Sequence, residues 1–251
     1  MFRRPITRFS RTLSFALVCT VPALSEAATI VGSLSSPTVY SNVDISTDVT
    51  DWAYFGIGGD ASAVEHKADG PVSFSAITGG SFVGGDSRMF LGFTGGSSTG
   101  TLTGGTSFVS AQQSDGASLS FTYTVLGVDQ SLQIYLVGYN SRADINVSLA
   151  SGGSYSLEDQ VLPYTDDGDA TGSGHHAGLL TLDLTGATVG DVLTFTVSNE
   201  YDGVSDPSFG LIGIQAVTVV PEPSAAALLG GCGMLVLLRR RRPILRNLAS
   251  V

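Results

Sequence analysis

Apolar and polar residues alternate along most of the chain, and the clearest case is Ser118 to Val125. Leu119, Phe121, Tyr123 and Val125 take one face, and Ser118, Ser120, Thr122 and Thr124 the other. Side chains of a strand point alternately to its two faces, so this pattern predicts a half-buried strand. Leu132, Ile134 and Leu136 repeat it, as do Ile145, Val147 and Leu149 after a turn over Gly138 to Arg142. Leu193, Phe195 and Val197 form another such face. Leu211 to Val219 is more continuously apolar and predicts a central or closing strand. Val39 to Ile45, Trp52 to Ile57, Val72 to Thr78 and Arg88 to Phe93 are earlier strand candidates. Helix signals are nearly absent from 28 to 219, and Gly, Asn, Asp and Ser separate the apolar stretches. Many short strands between turn signals predict an all-β fold: an antiparallel, jelly-roll-like β-sandwich, with a closed barrel as the alternative.

Four glycine pairs between Gly79 and Gly105 interrupt the alternation. They have no fixed period, so they do not predict a repeat architecture. The segment reads as an excursion at the edge of the sandwich, with Phe82, Met89, Phe90, Leu91 and Phe93 ordering part of it. Thr99, Thr101 and Thr103 alternate as on a surface strand.

The two ends follow a different pattern. Arg3, Arg4, Arg8 and Arg11 precede an apolar segment, Leu13 to Leu24, and then Ser25-Glu26-Ala27. This order predicts a secretory signal peptide over 1–27, cleaved between Ala27 and Ala28. At the other end, Pro221, Glu222 and Pro223 are followed by fifteen uncharged residues, Ser224 to Leu238, and then by Arg239, Arg240, Arg241 and Arg242. As a helix the run spans about 22 Å at ~1.5 Å per residue, short for a hydrocarbon core of about 30 Å. Snorkelling arginines and local thinning absorb part of the mismatch, and the basic cluster is expected on the cytoplasmic side. The prolines favour extended backbone just outside the membrane.

This end resembles the PEP-CTERM sorting signal of exported bacterial proteins, also described as an ice-binding-protein C-terminal motif. The resemblance implies a membrane-embedded exosortase as processing partner. It implies passage from the inner membrane to the cell surface or matrix, in company with exopolysaccharide. The expected organisation is a signal peptide (1–27), an exported β-sandwich domain (28–219), a sorting signal with one transmembrane helix (220–242) and a short cytoplasmic tail (243–251).

Charge sharpens the picture. The segment 28–219 has Lys67, Arg88 and Arg142 against twenty carboxylates, a balance of about −17. Such a surface repels nucleic acid and anionic lipid. Both cysteines, Cys19 and Cys232, lie in the apolar ends, so no disulfide is expected in the exported domain. About 190 residues bury a sizeable core without one.

A second resemblance covers most of residues 38 to 219. Asp51-Trp52-Ala53-Tyr54-Phe55-Gly56, His66-Lys67-Ala68-Asp69-Gly70 and Leu132 to Tyr139 look like a β-sandwich module of secreted bacterial proteins. The module is often found beside carbohydrate-active domains.

Candidate chemistry is sparse. Alternation puts Trp52 and Tyr54 on one strand face, either as a platform for a sugar ring or, as large aromatics more often are, in the core. Asp166-Asp167-Gly168-Asp169 is an acidic loop without the closing Glu of a calcium hand, and reads as solvated. His175 and His176 read as exposed loop residues. No nucleophile elbow, zinc-protease helix or phosphate loop occurs. The sequence therefore predicts no catalytic residue, metal or cofactor. It predicts a non-catalytic surface or matrix protein, with a carbohydrate-binding module as the alternative.

Overall fold

The computed structural model describes residues 27–84, 88–112, 116–166, 174–200 and 207–218. Sixteen strands run through these residues. The first eight are β1 (Thr29–Ser35), β2 (Asn42–Asp44), β3 (Asp51–Phe55), β4 (Val64–His66), β5 (Ser81–Val83), β6 (Phe90–Thr94), β7 (Thr101–Gly105) and β8 (Phe108–Gln112). Then follow β9 (Ser118–Thr124), β10 (Gln130–Tyr139), β11 (Arg142–Leu149), β12 (Ser154–Gln160), β13 (Tyr164–Thr165), β14 (His175–Thr185), β15 (Val192–Glu200) and β16 (Ser208–Thr218). No helix among the described residues is long and apolar enough to cross a membrane. The fold is all-β, its sheets are largely antiparallel, and their packing is that of a β-sandwich.

The main sheet has the order β1-β14-β10-β16-β3-β4, with β13 on β14 and the β8–β5 pair on β16. The path ends at β1 and β4, so this is not a closed barrel. A second sheet, β12-β11-β15-β9, packs against one face of it. The alternating residues meet between the two. Leu119, Phe121 and Tyr123 of β9, Ile145 and Val147 of β11, and Leu193, Phe195 and Val197 of β15 face Leu132, Ile134 and Leu136 of β10. Phe121 stacks on Phe195 at 5.0 Å. Consecutive strands β9 to β11 and β14 to β16 cross between the sheets, so most pairings are distant in sequence.

The opposite face of the main sheet is partly covered by a small third sheet, β2-β6-β7. In it β2 pairs with β6 in parallel. Met89, Leu91, Phe93 and Ile45 pack there on Trp52, Tyr54, Tyr135, Val137 and Ile212. Burial on two faces explains why β3 is buried at every position and why β16 is nearly so.

Three expectations change. Val72 to Thr78 is not a strand. Phe74 and Thr78 form single bridges to Tyr123 and Ser120, and between them the Ser75 hydroxyl, in place of a carbonyl, accepts the Thr122 amide at 2.8 Å. The glycine-rich excursion supplies β5 to the main sheet and β6 and β7 to the third layer. At Gly92 a Cβ would stand 2.7 Å from the Asn42 side chain and 2.8 Å from the Leu102 carbonyl, so only glycine allows β2, β6 and β7 to close up. Finally, His175 and His176 are not exposed loop residues. They open β14, because β10 continues as its partner as far as Tyr139, and His176 is 1% exposed.

Candidate functional site

β3 runs between the two cores, with Ala53 and Phe55 toward the large one and Trp52 and Tyr54 toward the small one. Trp52 is 0% and Tyr54 1% exposed. The indole stacks on Phe93 at 4.6 Å, and the Tyr54 hydroxyl donates to the Ser107 carbonyl at 3.3 Å. Burial pushes the Tyr54 phenol up to about 12. The two aromatics share a face, as alternation requires, but that face is core. They offer no platform to a sugar.

Of the remaining sequence-derived residues, Ala27 is exposed and Ala28 is buried ahead of β1. Pro221, Glu222, Pro223 and Arg239 to Arg242 lie outside the described residues, as do Asp167 and Asp169 of the acidic loop.

The structure does assemble a surface cluster around Asp166. Four segments meet there: the β1–β2 loop with Tyr40, the start of β6 with Arg88 and Phe90, β13 with Tyr164, and the paired ends of β10 and β14 with Tyr139 and His175. Asp166 Oδ1 accepts from the Tyr40 and Tyr164 hydroxyls, each at 2.9 Å. The phenol oxygens are 3.3 Å apart. Arg88 Nε donates to Asp166 Oδ2 at 2.6 Å, and its Nη2 lies 3.1 Å from His175 Nδ1. Tyr139 packs on the His175 ring at 4.7 Å. Burial would raise the Asp166 carboxyl, but Arg88 and the two phenols outweigh it and hold the group below its ordinary value. The Tyr164 phenol is pushed up by the Tyr40 hydroxyl, by burial and by Asp166. Asp166 and His175 stood out in the sequence. Tyr40, Arg88 and Tyr164 belong to no motif, and only the fold brings them together.

Two buried acids lie elsewhere. Glu65 on β4 is 0% exposed and takes the Ser98 and Thr99 amides at 2.6 and 2.9 Å and the Ser97 hydroxyl at 3.0 Å, with the Ser98 hydroxyl as well. Burial alone would raise it, but these donors hold it down to about 2. Asp51, also 0% exposed, faces the large core. It accepts the Ser73 hydroxyl and the Trp52 amide. There burial wins, and the carboxyl is raised. Both acids are taken up in local hydrogen bonds to neighbouring amides and hydroxyls. Among the described residues no group of three or more His, Cys, Asp or Glu is arranged to hold a metal ion. No protein-family model and no curated protein matches the chain.

Proposed function

We propose that the chain is an exported bacterial protein of the cell surface or extracellular matrix, sorted through its C-terminal signal and non-catalytic in role. In this reading the signal peptide (1–27) directs export. Residues 28–219 form a jelly-roll-like sandwich outside the cell. Residues 220–242 hold it in the inner membrane through one short helix until an exosortase-type enzyme acts near Pro221-Glu222-Pro223. The tail 243–251 stays cytoplasmic. The exported part then works beside exopolysaccharide as a structural or interaction module.

The observation that carries this reading is the residue order of the two ends: arginines, an apolar segment and Ser25-Glu26-Ala27 at one, and Pro221-Glu222-Pro223, an uncharged run and Arg239 to Arg242 at the other. The first described strand, β1, begins at Thr29. Cleavage after Ala27 leaves β1 whole. The test is mass spectrometry of the surface-released protein from a host with an exosortase. An N-terminus at Ala28 and a C-terminus near Pro221 are expected. A released form that keeps Arg239 to Arg242 overturns the reading.

Carbohydrate binding is the second reading. The observation that favours it is the exposed Tyr40 cluster.

A further inference from the structure

We propose that Tyr40, flanked by Tyr164, Arg88 and Asp166, is a binding platform for one pyranose ring of a neutral glycan. This deepens the reading of the domain as a non-catalytic interaction module by naming its ligand class.

Tyr40 is the one aromatic among the large apolar side chains left exposed on the described surface, at 57%. Its exposure is enforced rather than loose. Its backbone sits in the left-handed region at φ 55, which sterics disfavour for a bulky residue. Such a conformation persists only where the surroundings over-determine it, and such residues cluster at ligand sites. Here the constraints are visible. The Tyr40 amide donates to the Arg88 carbonyl at 3.0 Å. The hydroxyl is held by Asp166 at 2.9 Å. Phe90 and Tyr164 each meet the ring edge-on at 6.4 Å. A ring fixed before binding loses little rotamer freedom when a ligand stacks on it.

The rim narrows the chemistry. Arg88 and Asp166 form an ion pair beside the ring. Around it the domain is acidic, at about −17, and repels polyanions. A ligand suited to this place has a flat apolar face for the phenol ring and a belt of hydroxyls for an Arg–Asp pair. A neutral pyranose has both.

The test uses the full-length protein in a sugar-free zwitterionic detergent. Cellohexaose, maltohexaose and mannohexaose are titrated by calorimetry, with hexagalacturonate as the anionic counterpart. At least one neutral hexasaccharide should bind, with Kd on the order of 0.1–1 mM. Tyr40→Phe keeps the stacking face and should bind within about threefold of wild type, whereas Tyr40→Leu keeps apolar bulk without the ring and should lose at least about tenfold. Thermal melts of both variants check that they fold. Absence of binding to all three neutral sugars overturns the proposal, as does undiminished binding by a folded Tyr40→Leu or binding to hexagalacturonate alone. The masses of the processed termini do not depend on this titration, so failure of the glycan platform and failure of the sorting reading are distinguishable.

Discussion

Replacing Glu65 by Gln tests whether a single carboxylate fastens the third layer to the sandwich. Glu65 lies on β4, at the edge of the main sheet, and reaches into the turn between β6 and β7. It ties down the amides of Ser98 and Thr99 and the hydroxyls of Ser97 and Ser98. The fit is close enough that a Cβ on Gly96 would stand 2.7 Å from its Oε1. Gln keeps the shape but exchanges an acceptor oxygen for an NH2 group, which must then face a donor. The depression from 4.5 to about 2 corresponds to about 3 kcal/mol favouring the charged form, and nearby solvent around the turn reduces this to ~2 kcal/mol. For a domain of this size Glu65→Gln should lower Tm by about 4–8 °C near neutral pH. The sign of the pH dependence follows from the depressed folded value. The stabilisation is fully present above the unfolded value near 4.5 and is lost as pH falls toward about 2. The gap between wild type and Glu65→Gln should therefore close as thermal melts are taken from about pH 7 down to about pH 2. A variant that melts with wild type near neutrality, or a gap that does not change with pH, refutes the carboxylate latch.

Asp51 should behave with the opposite sign. Its folded carboxyl is raised, so its contribution is full below the ordinary value of 3.8 and is lost as pH rises through the raised one. Asp51→Asn should gain on wild type across that rise in paired thermal melts, and a constant difference would count against it. Trp52→Ala removes a fully buried indole from its stack on Phe93 and should cost about 3–5 kcal/mol. Chemical denaturation measures this, and a loss below about 1 kcal/mol would contradict the core placement.

How much of this was legible in the sequence depended on how many faces of a strand are covered. β9, β11 and β15 belong to a sheet with one face in the core, so alternation marked each residue's side. β16 is covered on both faces, and its more continuously apolar run marked it as a central or closing strand. For the third layer, the individual strands were legible within Val39 to Ile45, Arg88 to Phe93 and the alternation of Thr99, Thr101 and Thr103, but their gathering into a separate sheet was not. Its strands have three to five residues, too few to establish a period, and its glycines are there for close approach rather than for turns alone. His176 was misjudged because Gly174 and Gly178 resemble a turn, whereas the pairing with β10 keeps that stretch extended. The surface cluster is the extreme case. Asp166 stands 126 residues from Tyr40 and 78 from Arg88, and no local pattern relates positions so far apart.

The same small layer decides where an aromatic surface is left. In a two-layer sandwich the face of β3 that carries Trp52 and Tyr54 would be open to water, and these rings would be the natural candidates for stacking on a sugar. Folding β2, β6 and β7 over that face moves both rings into a second core, where Phe93 and Leu91 take the contacts a ligand would have made. The layer then ends at its own edge, where β6 begins with Arg88 beside it and the chain enters β2 through Tyr40. The cover that buries one aromatic pair therefore also positions the exposed one. The two sites predict opposite mutational behaviour. Substitution at Trp52 should act through stability, whereas Tyr40→Leu should lose binding in a protein that still folds. Glycan binding lost in a Trp52 variant that still melts like wild type would return the platform to β3 and remove the basis for placing it at Tyr40.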